Sequence, residues 1–386
     1  MLRYLPLIVK NCWRNRRRTV LTVASIAISM CLMGVVAAMY QAFYLSKPED
    51  SEASRLVTRN RISLTVSLPK GYLQRIKAVP GVKEAMMSNW FGGTYKDARD
   101  PKNQFARFLV EPEKLFVVYP EFRIPDDQRR AFEKERTACV IGRDLATQFG
   151  FHVGDRIPIT GDIFPGDYEF TVRGIFDSPR DSHLMYMNRE YPEQAQSEAR
   201  RGFVGMYYML IDDPKDSTRI AGAIDDMFRN ADRQTKTESE SAFLVGFLSL
   251  LGNVKMFMIA IAAAVMFTVL LVSANTMAMS VRERRREVGV LKTLGYSSGI
   301  VLGLILGEAC SISMLGGVIG YSISMVLMMG MLKSPFGGFL PGLQLFQPMV
   351  LLTCVLVTGA IGLLSSLVPA MGASRASIVE ALRSTD

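Results

Sequence analysis

Four long apolar runs constrain the fold of this 386-residue chain more than any other feature of its sequence. They lie at residues 19–44, 254–280, 299–331 and 349–370. Each is long enough to cross the hydrocarbon core of a bilayer as a helix, which takes about 20 residues. Apolar runs of this length are rarely buried helices of soluble proteins. The sequence therefore predicts a membrane protein with four transmembrane α-helices, and residues 45–253 are inserted between helices 1 and 2.

The basic residues predict the orientation of the chain in the membrane. The net charge is +9, and Arg3, Lys10, Arg14 and three further arginines precede the first run with no acidic residue among them. Residues 281–298 add four arginines and a lysine against two glutamates. Lysine and arginine are enriched on the cytoplasmic side of membrane helices. We therefore expect a multi-pass protein of the bacterial inner membrane with cytoplasmic N- and C-termini, a large periplasmic domain and no nucleic-acid partner.

The shorter segments follow from this topology. An amphipathic N-terminal segment at 1–18 and a tail at 371–386 are predicted to be cytoplasmic. Residues 281–298, which join helices 2 and 3, are predicted to lie on the same side. A short loop at 332–348 is predicted to be extracytoplasmic. All of them flank the lipid bilayer.

The inserted residues 45–253 have the pattern of a large α+β extracytoplasmic domain, in which strand-like alternation and helical spacing both occur. Strands are predicted at 61–68, 82–90, 105–110, 137–141, 156–159, 168–175 and 205–211, and helices at 69–79, 126–135, 143–149 and 214–230. Residues 241–253 are predicted to be a helical stalk that continues into the second membrane helix. Cys139 is the only cysteine of this domain, so it must fold on its own core without an internal disulfide.

The sequence contains no pattern that predicts catalysis or a metal site. Its two histidines, His152 and His183, have no metal-ligand neighbours at short spacing. A Gly-Lys dipeptide is absent, so the chain has no phosphate-binding loop of the G-x-x-x-x-G-K-[ST] type. Residues 295–299 match G-x-S-x-G, but a nucleophile elbow needs a preceding strand, and this match follows an amphipathic segment. We predict that the chain is not an enzyme, and a membrane-anchored extracytoplasmic enzyme is disfavoured.

Residues 281–298, here called the coupling segment, form the one strongly charged stretch between two apolar runs. Their sequence is VRERRREVGVLKTLGYSS, and we expect one side of an amphipathic helix to carry Val288, Val290, Leu291 and Leu294. Two interpretations remain open from the residues alone. The segment is either a basic flank that only sets topology, or a surface that receives force from another protein.

The coupling segment and the following helix resemble the FtsX-like/MacB-type ABC transporter permeases. The family pattern E-R-x-x-E-I-G-x-L-x-A-L-G, followed by E-A in the third span, is matched from Glu283 to Gly295 and at Glu308 and Ala309, with Thr293 where alanine is usual. The tail PAMGASRASIVEALR is similar to the family's C-terminal motif, which ends here in Glu380, Ala381, Leu382 and Arg383. The stretches IGRDLATQFGFHVGDRIPI and YEFTVRGIFD resemble the MacB-like periplasmic core domain.

This resemblance implies the permease subunit of a type VII-like ABC transporter complex. A separate cytoplasmic ABC ATPase subunit would bind ATP and magnesium, and this chain would carry no cofactor. A second permease copy or a paralogue would complete the complex, with a periplasmic adaptor protein as a further partner. ATP hydrolysis would move the periplasmic domain, which is termed mechanotransmission. The resemblance assigns contact with the ATPase to Glu283, Arg284, Arg285, Arg286, Glu287, Gly289, Leu291, Lys292, Leu294 and Gly295.

Several functions remain open beyond this point. Export, lipoprotein extraction and regulation of cell-wall hydrolases all occur in the family. The alternative to a transporter is a membrane signalling or regulatory scaffold, such as a cell-wall hydrolase regulator, that transports nothing.

The third run contains small residues and one acid. Gly303 and Gly307, and Gly316 and Gly320, have the four-residue spacing that lets membrane helices approach closely. Glu308 is the one carboxylate within an apolar run. An acid inside a membrane helix often has a function, but snorkelling or helix packing explains it equally well.

Overall fold

The structure, a computed structural model, describes residues 16–45, 53–100, 103–178, 182–198, 201–249, 252–332 and 348–375. The chain forms two compact units, a membrane unit that contains the four apolar helices and an inserted domain made chiefly of residues 46–252. Most of the predicted N-terminal segment, of the loop at 332–348 and of the tail at 371–386, including the tail motif, lies outside the described residues.

The helices are α1 (Arg16–Tyr40), α2 (Tyr72–Lys77), α3 (Pro112–Val118), α4 (Asp126–Lys134), α5 (Arg143–Phe149), α6 (Glu190–Ala195), α7 (Ser217–Met227), α8 (Glu240–Ser249), α9 (Val254–Glu283), α10 (Arg285–Thr293), α11 (Ser298–Leu332) and α12 (Pro348–Arg375). The strands are β1 (Arg55–Asn60), β2 (Leu68–Pro69), β3 (Val82–Trp90), β4 (Ala106–Val110), β5 (Ala138–Gly142), β6 (Arg156–Gly161), β7 (Gly166–Phe176), β8 (Leu184–Asn188), β9 (Phe203–Val204), β10 (Met206–Ile211) and β11 (Thr235–Ser239).

The membrane unit contains α1, α9, α11 and α12, and each is long and apolar enough to cross a bilayer. The helix α9 packs against both α1 and α12. Between α9 and α12, Ser273 Oγ donates a hydrogen bond to Ser365 Oγ at 2.9 Å. The four membrane helices and the α+β domain between the first and the second are therefore present as the sequence predicts.

The inserted domain is built on one mixed sheet. Among the described residues it has nine strands in the order β11–β1–β10–β3–β4–β8–β5–β7–β6. The pairs β4–β8 and β5–β7 are parallel, and the other neighbouring strands are antiparallel. The first strand, β1, pairs with the last, β11, with Leu56 opposite Ser239. The chain thus enters and leaves the sheet through neighbouring strands at one edge.

Both faces of this sheet are covered by apolar side chains. One face carries a single core that extends over both halves of the sheet and includes Val57, Val140 and Phe132. The opposite face carries two separate cores. Ile220 of α7 packs over β1, β10 and β3 in one of them, and Leu145 of α5 packs over the strands from β4 to β6 in the other. The strand β10 is buried along its whole length because it contributes to a core on each face.

Two predictions for this domain are wrong. Residues 61–68 do not form the predicted strand, and Ile62 is 87% exposed. The strand lies earlier, at β1, where Arg55 and Arg59 conceal the strand pattern because ion pairs allow their charges to be buried. The predicted stalk is also interrupted, since Gly252 has a φ of 109° and the Asn253 side chain caps the separate helix α9.

Candidate functional site

The coupling segment joins α9 to α11 through a bend, a short helix and a glycine turn. The helix α9 ends at Glu283, and Arg284 leaves the helical conformation with φ −104° and ψ 9°. The helix α10 follows directly. Gly295 then has a φ of 92°, which a residue without Cβ adopts at no steric cost, and its N–H donates to the Lys292 carbonyl. This turn ends α10 and directs the chain into α11.

The apolar residues of α10 lie on two faces, so the prediction that they share one side is wrong. Val288 is buried and Leu291 is half-buried, whereas Val290 and Leu294 are exposed, Leu294 by 71%. At 3.6 residues per turn, Val290 lies about 200° around the helix from Val288 and only about 40° from Leu294. One apolar face is therefore used inside the membrane unit, and the other is open.

The bend at Arg284 is held by an ion pair to the third membrane helix. Arg284 Nη1 donates a hydrogen bond to Glu308 Oε2, and the two side chains are only 11% and 7% exposed. Glu308 lies in α11, ten residues beyond Ser298, which is about 15 Å along the helix. The structure therefore places this acid in contact with the coupling segment.

The neighbouring residue, Glu283, pairs with the first membrane helix. Arg18 of α1 donates to Glu283 Oε2 at 2.5 Å and to Ser280 Oγ at 2.9 Å. This pair is more open than the pair at Arg284, because the Glu283 side chain is 48% exposed. Neither ion pair was predicted from the sequence, because the partners lie far apart along the chain.

A small cavity of about 50 Å³ lies where α9, α10 and α11 meet. Its lining is mostly apolar and includes Val281, Val288, Leu291 and Leu304, with Arg284 and Glu308 among the polar residues. The buried face of α10 thus packs around the same ion pair that holds the bend.

The structure divides the residues predicted to contact an ATPase. Glu283, Arg285, Arg286, Glu287, Leu294 and Gly295 are exposed; Arg284, Leu291 and Lys292 are half-buried; and Gly289 is buried. The exposed members, together with Arg282 and Val290, combine arginines with apolar side chains. This open face can bind a protein groove, with the arginines available to pair with carboxylates.

The glycines of α11 lie at helix crossings. A Cβ at Gly320 would lie 2.5 Å from the Ala27 carbonyl oxygen, and one at Gly316 would lie 2.7 Å from Ile26 Cγ2, so both glycines are needed for the contact with α1. Gly303 is buried and Gly307 is half-buried on the same helix. The third membrane helix therefore packs closely against the first.

A second ionic cluster lies in the inserted domain and was not predicted. The Arg55 side chain at the start of β1 is 2% exposed and pairs with Glu240 at 2.6 Å and with Glu121 at 2.7 Å. Its guanidinium also lies 4.4 Å from the ring centre of Tyr119, which donates a hydrogen bond to Glu240 at 3.0 Å. The cluster joins the first strand of the domain to α8, the helix that follows its last strand.

Glu121 is the less well satisfied carboxylate of this cluster. Its contact with Arg55 lacks hydrogen-bond geometry, and its Oε2 atom is buried without a hydrogen-bond partner. Burial raises the pKa of Glu121, and the charge of Arg55 offsets only part of that effect. For Arg55, burial alone would lower the pKa, but the charges of Glu240 and Glu121 outweigh it and raise the pKa.

Within the described part of the chain, no group of three or more His, Cys, Asp or Glu side chains is placed to hold a metal ion. Ser297, the central residue of the G-x-S-x-G match, follows α10 and accepts a hydrogen bond from the Ile300 N–H at the start of α11. It lies in a helix cap and does not follow a strand, so the geometry of a nucleophile elbow is not met there.

Two protein-family models together match most of the chain. Residues 19–227 match the MacB-like periplasmic core domain, and residues 259–378 match the FtsX-like permease C-terminal domain. An uncharacterised ABC transporter permease of Methanocaldococcus jannaschii is 26% identical over 82% of each chain. The macrolide export ATP-binding/permease protein MacB of Shigella boydii is 35% identical over 28% of this chain, a match that spans only 16% of that protein's length.

Solved structures similar to the inserted domain are more distant. The periplasmic region of MacB from Actinobacillus actinomycetemcomitans aligns with a TM-score of 0.38 and 10% identity, over 51% of this chain and 92% of that one. A domain of a putative permease from Porphyromonas gingivalis aligns with a TM-score of 0.35 and 14% identity, over 49% of this chain and 91% of that one.

The family matches agree with the resemblance seen in the coupling segment and in the inserted domain. The MacB-like match alone covers more than half of the chain. Membership also implies a partner ATPase subunit. The chain therefore belongs to the FtsX-like/MacB-type ABC transporter permeases.

Proposed function

We propose that this chain is the permease subunit of a complex in which a separate ATPase hydrolyses ATP and the coupling segment transmits the resulting motion. The observation that carries this proposal is the division of α10 into two faces. Its buried face packs around the ion pair that joins the preceding residue, Arg284, to α11, and its open face presents Arg285, Arg286, Val290 and Leu294. A helix held at its base and open on its outer side is suited to receive force from a docked protein.

The remaining parts of the proposal are supported by the distribution of basic residues and by the family resemblance. The termini and the coupling segment are cytoplasmic, the inserted domain is periplasmic, and the membrane is the bacterial inner membrane. ATP and magnesium bind to the ATPase. Two permease copies, or one copy and a paralogue, form the working unit, and an adaptor binds the inserted domain.

The complex exports an envelope substrate or acts on it in another way. This part is supported by the similarity to proteins named as macrolide export proteins, which match 28% of this chain. The motion is delivered to the inserted domain by the membrane helices, which is the mechanotransmission that the resemblance implies.

The test is a pull-down of the full-length chain from its native membrane, followed by reconstitution with the ATPase that copurifies. Leu294→Asp removes an exposed apolar contact and should weaken ATPase binding about 10- to 150-fold, because burial of a leucine contributes about 1.5–3 kcal/mol. Ile62→Asp, which changes an exposed apolar residue of the inserted domain in the same way, should leave the affinity unchanged. If no ATPase copurifies with the wild-type chain, or if both variants bind alike, the proposal fails.

A further inference from the structure

Two adjacent residues at the bend of the coupling segment are each bound to a different membrane helix. Glu283 pairs with Arg18 of α1, and Arg284 pairs with Glu308 of α11. The helix α10 begins at the next residue. These two pairs therefore hold the chain immediately before the helix that faces the partner protein.

The two pairs differ in burial, and this difference identifies the one that fixes α10. The Arg284 and Glu308 side chains are 11% and 7% exposed, whereas in the other pair Arg18 is 17% exposed and Glu283 is 48% exposed. Breaking a buried ion pair leaves a charge without a partner in an apolar environment, whereas an exposed pair is replaced by water at little cost. The Arg284–Glu308 pair is therefore the contact that resists displacement.

The packing around the buried pair connects it to α10 itself. Val288 and Leu291, on the inner face of α10, line the same small cavity as Arg284 and Glu308. The cavity also includes Val301 and Leu304 of α11. A rotation of α10 away from α11 would open this apolar contact and separate the two charges together.

We infer that Arg284 and Glu308 are positioning residues that lock α10 to α11, so that a force on the open face of α10 moves the third membrane helix. This inference rests on the proposed function. It removes Arg284 from the ATPase-binding surface and gives Glu308 a role in transmission. In the locked state the short helix and α11 move as one body.

The lock is tested in the full-length protein reconstituted in lipid nanodiscs with its ATPase. Glu308→Gln keeps the shape of the side chain and removes its charge. ATPase affinity should stay within about twofold of wild type, while the stimulation of ATP hydrolysis by the permease falls at least about fivefold, the lower end of typical coupling effects. Glu283→Gln breaks the more exposed pair and should change neither value. The charge-swapped double variant, Arg284→Glu with Glu308→Arg, should restore stimulation.

A distance measurement tests the lock without the ATPase. Spin labels at Leu294→Cys and Leu315→Cys, both exposed positions, report the separation of α10 and α11 in a background whose native cysteines are replaced by alanine. Glu308→Gln should broaden the distance distribution relative to wild type, and Glu283→Gln should not. An unchanged distribution in Glu308→Gln would overturn the lock.

The two proposals fail in different ways. If the wild-type chain binds no ATPase, the proposed function fails, and the spin-label distances still decide whether α10 is locked to α11. If the ATPase binds and Glu308→Gln couples as well as wild type, the lock fails and the proposed function stands. Loss of ATPase affinity in Glu308→Gln equal to that in Leu294→Asp would also overturn the lock, because it would place Glu308 in the docking surface.

Discussion

Replacement of Arg55 by methionine tests how far the buried cluster holds the inserted domain together. The change keeps an apolar side chain of similar length and removes the positive charge that lies between Glu121 and Glu240. Two carboxylates, 17% and 15% exposed, would then face each other without a cation. Removing one partner of a buried ion pair lowers the free energy of unfolding by about 3–5 kcal/mol.

The residual exposure of both glutamates favours the lower end of that range, about 3 kcal/mol. For a domain of about 200 residues each kcal/mol lowers the melting temperature by about 2–4 °C, so we expect a fall of about 6–12 °C. The pH dependence has a defined sign. Burial raises the pKa of Glu121 above its ordinary value of 4.5, and loss of Arg55 raises it further. A proton on Glu121 therefore stabilises the folded variant at low pH, and this stabilisation is lost as the pH rises through the raised pKa.

The assay uses tryptophan fluorescence of the full-length protein. The chain has two tryptophans, and in a Trp13→Phe background the signal comes from Trp90 at the end of β3. The deficit of Arg55→Met relative to wild type should be largest at pH 7 and should narrow toward pH 4.5, the ordinary pKa of a glutamate.

Two controls make this prediction specific to burial. Arg156→Met breaks an exposed pair with Glu169 at 2.8 Å and should cost less than about 1 kcal/mol. The triple variant Arg55→Met, Glu121→Gln, Glu240→Gln removes every charge of the cluster and should recover most of the stability. If Arg55→Met and Arg156→Met melt at the same temperature, the cluster does not hold the domain together as described.

Three further predictions follow from the described contacts. Leu291→Asp places a carboxylate in the mostly apolar cavity and should reduce stimulation of the ATPase at least about fivefold, whereas Arg285→Gln should change it by less than about twofold. Equal stimulation in both variants would contradict this. Gly320→Leu should lower the melting temperature in detergent because a Cβ there would lie 2.5 Å from a backbone oxygen of α1. Gly330→Leu should not, because a Cβ at that position meets no atom within 4 Å. A smaller effect at Gly320 than at Gly330 would refute the close crossing. The Arg143 guanidinium lowers the pKa of Asp177, so Arg143→Gln should lower the free energy of unfolding by less than about 1 kcal/mol at pH 7. The difference from wild type in melting temperature should disappear as the pH falls through that lowered pKa. A difference that persists at acid pH would exclude this ion pair as its cause.

The sequence predicted those elements that a clear turn signal delimits. The strand at 82–90 has the predicted limits, and the helix at 143–149 ends at Gly150, which has a φ of 68°. The strand follows the Pro80-Gly81 turn and the helix is ended by a glycine, so each has a clear turn signal at one end. The four membrane helices were predictable for a different reason, because length and apolar composition suffice.

The contacts that define the candidate sites were not predictable in this way. The strand β1 begins with an arginine that is buried only because Glu121 and Glu240, distant in sequence, neutralise it. Helical spacing separates Val288 from Val290, but it does not show which face packs inward, because that depends on where α11 lies. The sequence also could not show whether Glu308 would face lipid or an arginine, because that depends on the bend at Arg284.

The pairing of β1 with β11 has a consequence for how such proteins diversify. Because Leu56 lies opposite Ser239, the two ends of the inserted domain leave the sheet about 5 Å apart, a normal spacing of neighbouring strands. A domain whose ends are adjacent can be exchanged for another of different size without changing the distance that its attachment points must span. An exchange of residues 55–239 for the corresponding residues of a relative would therefore begin and end on neighbouring strands of one sheet.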